Sequence, residues 1–324
     1  MITNRISAVL PLRLGGAKES SDLDRVERLL LPSFALHWRG PAAVEFLVVV
    51  PPEDLHRIRT RLVGASPFQL RVISEDVLCP DLGGERGWHK QQILKLAAAR
   101  AVSSLWYLTL DADVLLGRPS SVADLIPDGR CRFKQERAQD HWDWWQASRG
   151  ILRSTVDLDP GDVVMGVTPE LLRRDVALEL LDEIGRRNGT GAADRFLFDS
   201  RSNGWTEYTL YWLYILERGL ERQLYDWSPS NLYEGLWFAD QAADAEYVRR
   251  LFGPASDAVF LVLQSNLGMP LRDMERLVAA HLPLGTRGPS LDAVLTRLGR
   301  TASRWSASVS AAWGALKEEV EAGP

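Results

Sequence analysis

The sequence predicts an α/β fold: a mostly parallel, Rossmann-type sheet flanked by helices, with a helical extension at the carboxyl end. Three observations carry that expectation. Apolar runs at residues 6–12, 44–50 and 68–73 read as strands, and the second has the apolar character of a strand buried on both faces. Amphipathic stretches lie between them, the alternation of βαβ units and so of parallel strands. A further strand at 105–110 ends in Asp111-Ala112-Asp113, and open parallel sheets bind ligands beyond the carboxyl ends of their strands.

Taken in order, the first strand runs into a loop with Arg13, Gly15 and Gly16. Ser21 is placed to cap a helix, with Asp24 as the third-residue acid and Pro32 kinking or ending its regular part. Pro51-Pro52 stops the second strand and opens a helix to about Leu62. Gly87 precedes a helix over 88–102, whose Ile93, Leu94, Leu96 and Ala97 suit a sheet-facing side. After the Asp pair the pattern changes. Residues 130–135 and 162–167 read as strands, and 141–148 as a tryptophan-rich loop or short helix. Thr168-Pro169-Glu170 has the form of a helix start, running to about Arg187. Another helix is expected over 205–218, a strand over 258–263, a short helix to His281, and amphipathic helices from Ser290 onward. The domain reading is one unit over 1–285, with a nucleotide-binding half at 1–117 and an acceptor half at 118–285, followed by a tail at 286–324.

Composition narrows the function classes. The 324 residues are 46% hydrophobic and 25% charged, which suits a globular chain. A net charge of -5 argues against nucleic-acid binding by bulk charge. Cys79 and Cys131 alone form no zinc site and suggest no disulfide scaffold, so the cytoplasm is the default compartment. No apolar run reaches the ~20 residues that span a bilayer.

Asp111 and Asp113 fall on the same side of an extended backbone. Two close carboxylates repel unless a cation sits near them, and carboxylate oxygens are natural ligands of Mg²⁺ and Mn²⁺, which keep free positions for phosphate oxygens. The stretch therefore reads as a metal–diphosphate anchor. The plainer reading is an Asp-rich turn. Seven of the 12 tryptophans fall between Trp142 and Trp237. Aromatic faces pack against the C–H faces of sugars, and an indole N–H bonds a hydroxyl; core packing is the alternative.

These residues resemble the GT-A fold of nucleotide-sugar glycosyltransferases. Leu108-Thr109-Leu110-Asp111-Ala112-Asp113 is similar to that fold's Asp-x-Asp motif. The stretches 87–96 (GWHKQQILKL), 205–211 (WTEYTLY) and 263–266 (LQSN) resemble a bacterial group assigned as glycosyltransferases. The resemblance covers roughly residues 5–282. It implies a nucleoside-diphosphate sugar donor, UDP or GDP in type and UDP for preference, with Mn²⁺ or Mg²⁺. Asp113 would bind the metal that bridges the diphosphate, and Asp111 the ribose, or the metal through water. Leu12 and Arg13 would border base and ribose, while Gln92 and Lys95 would reach the donor sugar or phosphates. A later metal ligand is expected of the fold; His281 is the candidate, with Gln264 or Asn266 as substitutes.

Within that reading, Glu207 is the base that takes the acceptor's proton if the reaction inverts, or binds donor or acceptor hydroxyls if it retains. The plainer account is an acid that favours a helix amino terminus. Trp144, Trp145 and Trp205 would form the acceptor platform, and Gly166 would offer backbone amides to the acceptor or make a tight turn. The acceptor itself, whether glycan, lipid-linked or small molecule, is left open, and the terminal helices suit a homo-oligomer. Two rivals share the motif. A haloacid-dehalogenase-type phosphatase would use Asp111 as nucleophile and Asp113 as acid, but no Asp-Asp pair follows to complete its Mg²⁺ site. A non-catalytic nucleotide-sugar-fold binding subunit would keep the fold without the chemistry.

Overall fold

A computed structural model describes residues 5–14, 21–40, 44–63, 68–83, 87–253 and 256–281. Its strands are β1 (Ser7–Pro11), β2 (Glu45–Val50), β3 (Gln69–Ser74), β4 (Trp106–Thr109), β5 (Val114–Leu116) and β6 (Cys131–Arg132). They continue as β7 (Gln135–Arg137), β8 (Val163–Met165), β9 (Glu170–Arg173), β10 (Tyr225–Asp226), β11 (Tyr233–Leu236) and β12 (Phe260–Leu263). The chain folds into two compact units, neither continuous in sequence. One holds the described parts of Met1–Arg13, Gly40–Asp111 and Ser121–Ser230; the other holds those of Leu14–Arg39, Ala112–Ser120 and Asn231–Pro324.

The first unit is built on a five-stranded sheet of order β3-β2-β1-β4-β9. The first four strands are mutually parallel, and β9 joins antiparallel at one edge, pairing Thr109 with Glu170. The apolar run of β2 is buried from Phe46 through Val50, as a central strand covered on both faces requires. Helix Leu55–Val63 packs on β3, and helix Trp88–Ala97 packs on β1. Trp88–Ala97 also meets the helices Arg174–Arg187, Ala193–Asp199 and Glu207–Glu217. Glu207–Glu217 is buried along nearly its whole length, the expected state of a helix apolar all round.

The second unit carries a three-stranded sheet of order β11-β12-β5, in which β12 runs parallel to β11 and antiparallel to β5. Leu29, Leu115, Leu236, Phe252, Leu263 and Met274 are among the residues of its core. Gly235 is a packing requirement there, since a Cβ would lie 2.8 Å from the Val262 carbonyl oxygen. Pro32 does not end its helix. A π-helical turn at Val26–Leu30 leads into Leu31–His37 with the proline in the first turn, where its missing N–H costs no bond.

Several local expectations change. The stretch expected as one strand at 130–135 divides into β6 and β7, and the tryptophan-rich segment is a helix, Trp142–Leu152. Thr168 does not cap a helix: residues 170–173 extend as β9 beside β4, and the helix starts at Arg174. The backbone pairing on offer at the sheet edge overrides the local capping signal. The Ser21 capping side chain, Gly15, Gly16 and the tail helices expected from Ser290 lie outside the described residues.

Placing β9 in the sheet buries Glu170 completely. Its Oε1 accepts the Lys134 N–H at 2.8 Å, and its Oε2 has no hydrogen-bond partner. Burial pushes its pKa well above the carboxylate range, against the pull of the Lys134 amide. The folded chain thus keeps this proton at pH values where the unfolded chain has lost it, so Glu170 makes stability fall as pH rises. Glu170→Gln should raise the melting temperature at pH 8 by a few degrees, about 1 kcal/mol. The gain should shrink as pH is lowered toward ~4.5, where the unfolded chain also begins to hold the proton. Thermal melts of both proteins across that range check it.

Candidate active site

The site begins at the carboxyl edge of the first unit's sheet. Leu12 N–H donates to the Val49 carbonyl (2.9 Å), and Leu110 N–H to the Val9 carbonyl (2.8 Å), so past the strand ends the chain after β1 stays tied to β2 and the chain after β4 to β1. From β1 the chain winds one way to β2 and β3, and then returns to the opposite side as β4. Such a reversal leaves a crevice outside the strand ends. Asp111 emerges from β4 at that point.

Helix Trp88–Ala97 supplies the next layer. Trp88, Gln92 and Lys95 are spaced by four and three residues, so they share one stripe. The Lys95 side chain is 2% exposed, and its Nζ lies 2.8 Å from Thr168 Oγ1, 2.9 Å from Asp111 Oδ1 and 3.1 Å from Glu207 Oε1. An ammonium has three donors, and each of them meets its own acceptor. Burial works against the charge on Lys95, but the Asp111 and Glu207 carboxylates outweigh it and hold the pKa well above its usual value. Glu207 is 0% exposed, the first residue of its helix, behind a Thr206 cap that exchanges hydrogen bonds with Thr209. Burial raises its pKa, Lys95 opposes this, and Asp111 adds to it. With its amide set to satisfy its neighbours, Gln92 donates to both Glu207 oxygens and accepts from Trp88 Nε1 at 2.8 Å.

A row of hydroxyls fixes Lys95 from behind, and its direction follows from counting protons. Thr109 gives its one hydroxyl proton to the Glu170 carbonyl at 2.9 Å. The 2.8 Å contact with Tyr208 is therefore donated by the tyrosine. Tyr208 in turn accepts from Thr168 at 2.6 Å, and Thr168 accepts from Lys95. Each hydroxyl in the row has one donor and one acceptor role, so the row has a single sense.

The same helix borders a cleft of about 260 Å³ at the ends of β1, β2 and β3. Lys90, Gln91 and Leu94 line it from the helix; Leu12 and Arg13 line it from the end of β1. Lys90 is buried there and donates to Glu75 Oε1 (2.6 Å) and the Gly83 carbonyl (2.8 Å). Burial raises the Glu75 pKa, against the pull of Lys90.

Asp113 belongs to the second unit. It is 8% exposed; its Oδ2 accepts the Ser265 N–H at 2.8 Å, and its carbonyl accepts the Leu263 N–H at 2.9 Å. Gln264 Oε1 accepts the same Ser265 N–H. The side chains of Asn266 and His281 lie outside the described residues. Among the described residues no group of three or more His, Cys, Asp or Glu is placed to hold a metal ion.

The structure thus gathers Asp111, Lys95, Gln92 and Glu207, and puts Leu12 and Arg13 in the cleft. Trp145 and Trp205 are buried in the core, and Gly166 N–H donates to the Lys134 carbonyl, so the Gly166 amide is already used. Trp144 is half-buried, with its ring 5.8 Å from that of Trp88, which is exposed. Thr168, Tyr208 and Trp88 are site residues that sequence reasoning missed. Trp88 had a signal, being one helical turn from Gln92; Thr168 had none, since its contact with Lys95 crosses 73 positions.

The apo crystal structure of mouse xyloside xylosyltransferase 1 is similar over 82% of this chain and 100% of that chain. Identity is 12% and the TM-score 0.49, too slight a likeness to carry an inference. No curated protein matches the sequence. Among the described residues no helix is long and apolar enough to cross a membrane. A family model matches residues 3–286, most of the chain, and the chain therefore belongs to DUF6492, a family of unknown function.

Proposed function

We propose that this chain is a glycosyltransferase that moves a sugar from a nucleoside-diphosphate sugar, UDP for preference, to an acceptor hydroxyl. The observation that carries the reading is the Asp111–Lys95–Glu207 cluster at the carboxyl end of β4, where the winding of a parallel sheet reverses. The cleft at the ends of β1–β3 would take the base and ribose, with Leu12 and Arg13 at its border.

The reaction breaks a sugar–phosphate bond and leaves negative charge on the diphosphate. Mn²⁺ or Mg²⁺ is the group that would neutralise it as a Lewis acid. The donor chemistry fits such a hard cation. Asp113 presents carboxylate oxygen oriented by the Ser265 amide, and Mg²⁺ needs only one or two protein carboxylates beside water and phosphate. Asp113 would be the ligand, and Asp111 would contact the ribose or the cation through water. Lys95 has no donor left over for phosphate. Its work is to neutralise and orient Asp111 and Glu207 at once. Glu207 takes the acceptor proton in an inverting reaction, or binds a sugar hydroxyl in a retaining one; Gln92, hydrogen-bonded to both its oxygens, sets its direction.

Three outcomes follow from this reading. UDP or GDP should raise the melting temperature only with Mn²⁺ or Mg²⁺ present, and Asp113→Ala should abolish the shift. No shift with any nucleotide would sink the reading. Glu207→Gln should keep the nucleotide shift and lower turnover of the donor by about 10²-fold or more; unchanged turnover would remove Glu207 from the chemistry. Lys95→Met should cost about 3–5 kcal/mol by leaving buried carboxylate without its cation. Because a protonated Glu207 needs no counter-charge, that deficit should narrow as pH is lowered. A loss independent of pH, in melts from pH 5 to 8, would show that Lys95 is not the counter-charge of Glu207.

A further inference from the structure

Donor chemistry leaves the aromatic surface next to Gln92 unused. Trp88 is 43% exposed at the start of its helix, a costly display for a large apolar ring. It does not stand alone. The Trp144 ring centre is 5.8 Å away, tilted by 43°, and His141 stacks on Trp144 at 4.2 Å with the planes 6° apart. The His89 ring lies 4.9 Å from Trp88, edge to face, and burial holds that imidazole at about 4, uncharged near neutral pH. Gly204 lies beside the platform, in van der Waals reach of Trp144, and its φ of +69° is the left-handed conformation that favours glycine.

The polar edge of Trp88 is turned inward. Its Nε1–H donates to Gln92, whose amide nitrogen donates to Glu207, so one exposed ring is tied by two hydrogen bonds to the buried carboxylate. A ring anchored by its edge presents its face. The turn and helix that carry His141 and Trp144 also bear the exposed carboxylates of Asp140 and Asp143, acceptors of the kind sugar hydroxyls use. A small aromatic face with polar neighbours falls far short of the ~1,000 Å² that a stable protein partner needs. It suits the C–H face of one sugar ring.

We propose that Trp88, backed by Trp144 and His141, is a stacking platform for a pyranose ring, so that the acceptor is a saccharide. The term acceptor rests on the glycosyltransferase reading; the platform does not.

The full chain tests this by saturation-transfer NMR and intrinsic fluorescence titration. The probes are methyl glucoside, galactoside, mannoside and N-acetylglucosaminide, cellobiose and lactose, with glycerol and hexanol as ring-free alcohols. Each is run alone and with UDP and Mg²⁺. At least one saccharide should receive transfer at its ring C–H protons. Trp88→Ala should weaken that binding at least tenfold and Trp144→Ala at least threefold, while Trp88→Phe stays within about threefold of the parent. All three variants should keep the parent's melting temperature within about 2 °C. Absence of saccharide binding under both conditions, Trp88→Ala binding within twofold of the parent, or equal binding of hexanol would each overturn the proposal. Nucleotide binding without saccharide binding would fail the platform alone. Trp88-dependent saccharide binding without nucleotide binding would fail the transferase reading and leave the platform standing.

Discussion

The ammonium of Lys95 is the constraint on which the candidate site depends. It is buried, and a buried charge is tolerable only when paired and hydrogen-bonded. Asp111 and Glu207 supply the opposite charge, and Thr168 the third acceptor. Removing any one leaves the others worse off. Without Lys95, Glu207 would be an uncompensated carboxylate in the core; without Glu207 or Asp111, the lysine would lose half its counter-charge. An apolar replacement of such a trio often gives equal or greater stability. Stability is therefore a weak account of it, and fixing the position of two carboxylates at a strand end is a stronger one.

The fold meets the demands of that cation from four directions. Asp111 comes from the end of β4, Lys95 from the helix before it, Thr168 from the segment before β9, and Glu207 and Tyr208 from the first turn of a buried helix. The hydroxyl row joins these elements. Thr109 sits in β4 and donates to the carbonyl of Glu170, its cross-strand partner in β9, so the row is anchored in sheet backbone. A chain of donors with one sense is polarised along its length, each bond strengthening the next. Its effect is to leave Lys95 a single low-energy position.

How much of this was legible in the sequence differs from residue to residue. The parallel sheet was, because β2 and β4 are short apolar runs between helix patterns, and burial on both faces has a visible signature. Asp111, Gln92, Lys95 and Glu207 were legible as candidates because their residue types carry chemistry. Their meeting around one ammonium was not, since Lys95 and Glu207 are far apart in the chain and nothing local encodes the approach. Thr168-Pro169-Glu170 misleads for a physical reason: the same residues suit a helix start and an edge strand, and only the partner β4 decides. The two compact units were equally hidden, because β5 pairs with β12 across more than a hundred intervening residues, a choice made by long-range packing.

The tryptophans show the limit most clearly. Trp144 and Trp145 are neighbours in sequence, yet on a helix adjacent residues point about 100° apart. One is half-buried beside Trp88, and the other packs into the core. Composition gives both the same claim on a sugar; direction gives it to one. Trp88 gains its claim from its place on the stripe that carries Gln92 and Lys95. Along that stripe the helix passes from solvent to core within two turns: an exposed aromatic face, an amide that accepts from it, and a buried ammonium. Glu207 is bonded to the second and third of these. Trp88, Gln92, Glu207 and Lys95 are thus joined in one unbroken line of hydrogen bonds and charge, from the exposed ring to the buried ammonium.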